Sequence, residues 1–145
     1  MPFHKKRVAP GATIDDDLSA AIKNCLSNGI LPCAGAFEVA EDLNKTRLEV
    51  GHGADVLHIP LGICQLGLFG YPGPAKLWES TGYREPAVTP DVVNAILATQ
   101  DKNGKITCEA LLAIADRFGM PRAVAGRAAD REGVRVIRCQ IGAFP

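Results

Sequence analysis

The sequence predicts a mainly α-helical fold with small β elements, an α+β class, made of two tandem copies of one unit. The first observation is a repeated hexapeptide: Cys-Gln-Leu-Gly-Leu-Phe at 64–69 returns at 139–144 as Cys-Gln-Ile-Gly-Ala-Phe. The second is that a shift of 75 positions aligns 28–69 with 103–144 without a gap and gives 12 identities in 42 positions, where unrelated chains give about two or three. The third is that apolar residues recur at helical spacing, with only short β-type runs between them.

The length of the chain bears on how the two copies are arranged. A chain of 145 residues is one ordinary domain or two small ones. A unit of about 60 residues is marginally stable alone, so we expect the two copies to share a core or to pack on each other. The predicted organisation is a basic arm at 1–12, a first unit at 13–71, a linker at 72–88 and a second unit at 89–145.

The first unit opens with a predicted helix at 14–26. Thr13 is its expected N-cap, acidic residues fill its first turn, and Asn28-Gly29 follows its end. The remaining predicted elements are a short strand at 30–32, a helix at 33–43, a turn at 44–46, a helix at 47–57 and a strand or hairpin at 58–69.

The second unit repeats this plan with clearer boundary residues. Thr89 is the expected N-cap of a helix that begins at Pro90 and stops before 101, and Thr107 can cap the second helix. The other predicted elements are a strand at 105–107, a helix at 108–118, a third helix between Pro121 and Gly133, and a strand at 134–139.

The segment from 70 to 86 connects the two copies and is too long for an ordinary connection. It holds both tyrosines and Trp78, the only tryptophan of the chain. Three large aromatic residues are unexpected in a mobile spacer. We therefore expect the segment to lie across the two units as a strap, and the alternative is an exposed proline-rich spacer.

A helix-turn-helix pattern occurs at equivalent positions of both units. Ala40 and Ala115 stand where two helices would cross, and Asn44 and Gly119 follow four residues later, where the chain needs a left-handed turn. With its order of helix, short strand, helix, turn, helix and hairpin, the sequence resembles the winged helix-turn-helix superfamily, twice over across 14–145. The resemblance implies two tandem winged-helix repeats, each of three helices with a short strand and a β-wing. It often implies DNA binding through the third helix, although many winged helices bind only proteins.

Arginines are concentrated on the third helix and last strand of the second unit. These are Arg122, Arg127, Arg131, Arg135 and Arg138. Arginine binds phosphate and can read guanine edges, so this strip is the candidate nucleic-acid surface. The basic arm is expected to assist through Lys5, Lys6 and Arg7. The alternative is a solvated helix face on which Arg127 pairs with Asp130 and on which Arg131 is simply exposed to solvent.

Gly51 and Gly126 occupy the same middle position of the two third helices. A glycine inside a helix costs up to about 1 kcal/mol relative to alanine, so something must compensate in both copies. Close approach of another backbone, of a helix or of a phosphate would do so, and so would close packing inside the repeat.

Four of the five cysteines form two equivalent pairs. Cys33 and Cys64 are 31 residues apart, as are Cys108 and Cys139, whereas Cys25 has no counterpart. A thiol at a helix start has a lowered pKa, which favours metal binding or oxidation, and four thiolates meeting between the units would suit zinc or an iron–sulfur cluster. No Cys-x-x-Cys spacing is present. Buried cysteine that packs as a small apolar side chain, without any cofactor, is the commoner outcome, and redox sensing is a further alternative.

Composition limits the classes of function. Sixteen basic and sixteen acidic residues cancel, which argues against a strong overall attraction to nucleic acid or to an anionic membrane. Neither a secretory signal nor a membrane-spanning stretch is recognisable, and five cysteines without a dense framework indicate a reducing compartment, so a cytoplasmic protein is expected. No nucleophile with its base and no carboxylate pair can be placed, so an enzyme is not expected.

Three functions are compatible with these patterns. The first is a DNA-binding regulator that contacts DNA through the arginine strip. The second is a non-catalytic interaction module or accessory subunit that binds a protein partner or a second copy of the chain. The third is a zinc or iron–sulfur protein with Cys33, Cys64, Cys108 and Cys139 as ligands.

Overall fold

The computed structural model describes residues 11–71, 76–79 and 88–145. Within them, six α-helices and four short strands confirm the mainly α class with small β elements. In chain order they are α1 Asp16–Asn24, β1 Leu31–Pro32, α2 Cys33–Asp42, α3 Arg47–Val56, β2 Leu61–Gly62, α4 Pro90–Thr99, β3 Lys105–Thr107, α5 Cys108–Arg117, α6 Arg122–Arg131 and β4 Arg135–Ile137. The bounds of α2 and α3 recur in α5 and α6 after 75 residues. The predicted basic arm lies, up to residue 10, outside the described residues.

Most of the predicted helix starts are confirmed, and one is wrong. Helix α1 begins at Asp16 because its N-cap is Asp15, whose Oδ1 accepts the backbone N–H of Leu18 at 2.7 Å, and not Thr13. Thr89 is the N-cap residue of α4, and the hydroxyl of Thr107 accepts the N–H of Ala110 at 3.1 Å at the start of α5.

The two helix-turn-helix pairs form as predicted. Asn44 and Gly119 have φ angles of 52° and 63°, so each takes the left-handed conformation that ends the helix before it. Ala40 and Ala115 are buried, which lets the paired helices approach closely. These local features follow directly from small side chains at fixed spacing.

The β elements differ from the prediction. Strand β1 pairs with β2 in parallel, with Leu31 opposite Leu61, and β3 pairs with β4 in the same way. Parallel strands need a crossover, and each helix pair supplies one. The predicted strand or hairpin at 58–69 forms in part, as the short parallel strand β2, and residues 58–69 form no antiparallel hairpin or wing. The reason is visible in the backbone: Ile63 and Arg138, which are equivalent residues, take positive φ angles of 46° and 54° and end both strands.

The two units share one hydrophobic core, as expected for units of this size. Buried residues of both repeats form a single cluster that includes Ile22 and Leu31 of the first unit and Ile96 and Leu111 of the second. No described helix has the length and apolar character needed to cross a bilayer.

Candidate functional site

The repeated hexapeptides form two short closed loops, here called the motif loops, at 64–69 and 139–144. In the first, the N–H of Cys64 donates to the carbonyl oxygen of Phe69 at 3.0 Å. In the second, the N–H of Cys139 donates to the carbonyl oxygen of Phe144 at 3.2 Å. The same sequence therefore closes the same turn in both units.

Each motif loop packs on the third helix of the other unit. A β-carbon added to Gly126 in α6 would overlap the carbonyl oxygen of Leu66, and one added to Gly51 in α3 would overlap that of Ile141. Leu66 and Ile141 are almost completely buried. The backbone of the other unit thus compensates for both helical glycines, which corrects the alternative of packing inside one repeat. Because the contacts are reciprocal, the interface, here called the seam, has the character of an isologous interface.

The two glutamines of the motif loops are held across the seam by equivalent arginines. Nη1 of Arg122 donates to Oε1 of Gln65, and Nη1 of Arg47 donates to Oε1 of Gln140. These arginines are 75 residues apart, as are the glutamines. Each motif-loop glutamine is therefore bound by an arginine of the opposite repeat.

Arg122 has a second partner in its own unit. Its guanidinium donates to both carboxylate oxygens of Asp116, at 3.1 and 2.9 Å. The bidentate contact lowers the pKa of Asp116 and raises that of Arg122. Arg122 thus has partners on both sides of the seam.

The four paired cysteines are buried as free thiols close to the seam. Nε2 of Gln65 lies 3.3 Å from Sγ of Cys33. Burial is the main cause of the raised pKa of Cys64, and repulsion from Cys33 and Cys108 adds to it.

The acidity of these thiols is opposite to the expectation from their helix positions. Burial raises the pKa of Cys33, although it is the first residue of α2, and raises that of Cys108, the first residue of α5, to about 11. Burial raises the pKa of Cys64 to about 12, against the weaker opposing effect of the backbone N–H groups of Leu68 and Leu66. Desolvation outweighs the helix N-terminus here. In the described part of the chain, no three Cys, His, Asp or Glu side chains are placed to hold a metal ion.

A part of the linker, here called the strap and comprising residues 76–79, crosses the seam. Leu77 donates its N–H to the carbonyl oxygen of Gly67 at 2.8 Å, and the ring of Trp78 lies directly over Gly67. On the other unit, Nζ of Lys76 pairs with Asp130 at 2.6 Å, and the guanidinium of Arg127 lies 5.4 Å from the Trp78 ring centre. The strap prediction is confirmed for these residues, while 72–75 and 80–87 lie outside the described ranges.

The arginine strip is divided by these contacts. Arg122 is bound at the seam, and Arg127 pairs with Asp130 at 3.3 Å as well as lying over the strap. Arg131, Arg135 and Arg138 are exposed. The sequence identified all five residues but contained no signal that the strap would lie on α6.

The other side of the seam has a more open surface. Gly142 is equivalent to Gly67, but its neighbour is Leu48 of α3. Cδ2 of Leu48 lies 3.4 Å from the position that a β-carbon on Gly142 would occupy. Leu48 is 60% exposed, the largest exposure among the large hydrophobic side chains described. Beside it runs an open apolar groove of about 410 Å³. We call this surface the Leu48 face; it comprises Leu48, Arg138, Gly142, Ala143, Phe144 and Pro145.

No protein-family model, curated protein or solved structure matches the chain.

Proposed function

We propose that the protein is a non-catalytic interaction module, of the accessory-subunit type, that docks on another protein through the Leu48 face. The observation that carries the proposal is the difference between the two sides of the seam. On one side Trp78 covers Gly67. On the other side Leu48 lies over Gly142, and Leu48 is itself 60% exposed. Exposed apolar surface next to a groove is typical of protein interaction sites.

The residues of α3 and α6 support this assignment. Leu48 of α3 aligns with Ala123 of α6. The described strap residues lie on α6, so the larger apolar side chain is on α3, the helix that they do not cover. Arg138 lines the groove beside Leu48 and brings a positive charge to its edge. The partner that fits is a segment with an apolar side chain for the groove and a neighbouring carboxylate for Arg138.

The proposal predicts a cross-linked product that is specific for position 48. A photoreactive phenylalanine analogue would replace Leu48 in one variant and Leu97, a large apolar residue that is 38% exposed on α4, in a matched control. After irradiation in the native cells, we expect one discrete product from position 48 and none from position 97, and loss of that product when Arg138→Glu is added.

Two outcomes would contradict a partner protein at this face. Equal cross-linking from positions 48 and 97 would show that the Leu48 face has no specificity. A product with twice the mass of the chain would show self-association instead of docking on a different protein.

A second candidate function is nucleic-acid binding, which the exposed end of the arginine strip favours. Arg131, Arg135 and Arg138 are exposed within eight residues of sequence at the end of α6 and around β4. Each unit has the helix-turn-helix pair of the winged-helix superfamily, although its described strands pair in parallel and not as a wing, and this pair supports the proposal. Contact would be made mainly with phosphates, since the middle of α6 lies against Leu66 and Trp78 lies beside Arg127.

This second proposal predicts a change in salt dependence. Replacing Arg131, Arg135 and Arg138 by alanine should make the negative slope of log K against log salt concentration less steep by about two to three units, since each lost phosphate contact contributes about 0.9. Fluorescence anisotropy with duplex DNA measures the slope, and Lys23→Ala, an exposed cation on α1, is the matched control. No binding by the natural chain, or an unchanged slope in the triple variant, would exclude contact by these arginines.

A further inference from the structure

A cavity of about 250 Å³ lies where the strap, both motif loops and α6 meet. The Phe69 and Phe144 rings, one from each motif loop, meet edge to face there with centres 6.2 Å apart. Its other apolar walls are side chains of the first motif loop and of the β4 segment, namely Leu68, Val134 and Val136. The cavity is thus an apolar space that exists only because the two units are joined.

The cavity depends on residues that differ between the repeats. Gly133, Val134 and Val136 line it in the second unit. The equivalent residues of the first unit are His58, Ile59 and Leu61, and each is larger. Small side chains therefore leave space beside β4 where the first unit carries more atoms.

The polar groups around the cavity carry a net positive charge. Lys76 and Asp130 line it and neutralise each other through their 2.6 Å ion pair. The third charged residue is Arg135, whose side chain is exposed. Enclosed apolar space with a small number of oriented polar groups is the usual form of a small-molecule site.

We propose that this cavity binds a small amphipathic anion, a short-chain or single-ring carboxylate whose apolar part packs against the Phe69 and Phe144 rings and whose carboxylate pairs with Arg135. The apolar walls exclude a strongly hydrated ligand, because none of them offers a hydrogen bond in return. The extra positive charge selects an acid over its neutral analogue. A guanidinium binds a carboxylate in two parallel hydrogen bonds, which also orients the ligand.

The test compares 3-phenylpropionate with its neutral amide by isothermal titration calorimetry on the full chain. We expect saturable one-to-one binding of the acid and at least tenfold weaker binding of the amide. The double variant Val134→Ile, Val136→Leu copies the residues of the first unit and should weaken binding of the acid at least tenfold, because it fills the cavity. Arg135→Gln, a change at an exposed residue that leaves the core intact, should bring acid and amide to within about twofold of each other.

Several results would overturn the proposal. They are the absence of saturable binding of the acid, equal affinity for acid and amide in the natural chain, and an unchanged preference for the acid in Arg135→Gln. Full binding by the filled double variant, with its fold verified by amide NMR spectra, would equally place the ligand elsewhere.

Discussion

Gly126→Ala should lower the free energy of unfolding by about 3 kcal/mol or more, the largest effect that we expect from removing or adding a single carbon in this chain. The added β-carbon would overlap the carbonyl oxygen of Leu66 and lie 2.8 Å from its carbonyl carbon. Backbone atoms cannot move aside as the end of a flexible side chain can. The motif loop must therefore leave α6, and Leu66, which is 1% exposed, loses its place in the core.

The reciprocal seam predicts the same result for Gly51→Ala, whose β-carbon would overlap the carbonyl oxygen of Ile141. The matched control is Gly35→Ala in α2, where the nearest atom would be Cβ of Cys25 at 3.4 Å, an ordinary contact. There alanine should be neutral or stabilise by up to about 1 kcal/mol, since it is the better helix former. Urea denaturation followed by circular dichroism measures all three variants. Losses below about 1 kcal/mol at both seam glycines would contradict the close backbone contacts.

The helices could be predicted from the sequence because their signals are local. Asn44 and Gly119 indicate the turns by their tolerance of positive φ angles, and Thr107 indicates the start of α5 by its hydroxyl. The choice between a strand and a hairpin at 58–69 could not be made from the sequence, for a non-local reason. An apolar β-type run fits either a hairpin or a strand that pairs with a distant segment, and only the left-handed turn at Ile63 and the contact with α6 decide between them.

The candidate site was predictable in its residues but not in its contacts. The cost of glycine inside two helices indicated that Gly51 and Gly126 have compensating neighbours, and the repeat indicated that these neighbours are equivalent. Nothing in the spacing showed that each neighbour belongs to the other unit. Arg122 illustrates the same limit, because its pairing with Gln65 joins residues 57 apart in sequence.

The predicted low pKa of the helix-start cysteines was wrong because burial could not be judged from position alone. A helix N-terminus stabilises a thiolate by a modest amount, whereas removal from water at the seam opposes it more strongly. For Cys108 the result is a pKa of about 11. The direction of the pKa shift could be predicted only by someone who knew that the first turn of α5 faces the core.

The raised thiol pKa values predict that the folded protein loses stability in alkaline solution. The pKa of Cys64 is about 12 in the folded chain and about 8.5 when the thiol is exposed by unfolding. Between these values the unfolded state has lost the proton that the folded state keeps. Stability is therefore full below about pH 8.5 and falls as the pH rises toward 12, by at most about 1.4 kcal/mol per pH unit for each such thiol.

Cys64→Ala isolates this effect from the lysines and tyrosines that titrate in the same range. At pH 7 the variant should be less stable than the natural chain, because it loses a buried sulfur atom. Its deficit should shrink between pH 8.5 and 11, since it has no thiol at position 64 to ionise in the unfolded state. Urea denaturation at each pH measures the difference, with Cys25→Ala as the control because Cys25 is half-exposed and its deficit should change less. A Cys64→Ala deficit that is constant with pH would show that Cys64 ionises as readily in the folded chain as in the unfolded one, and so that it is not held away from water at the seam.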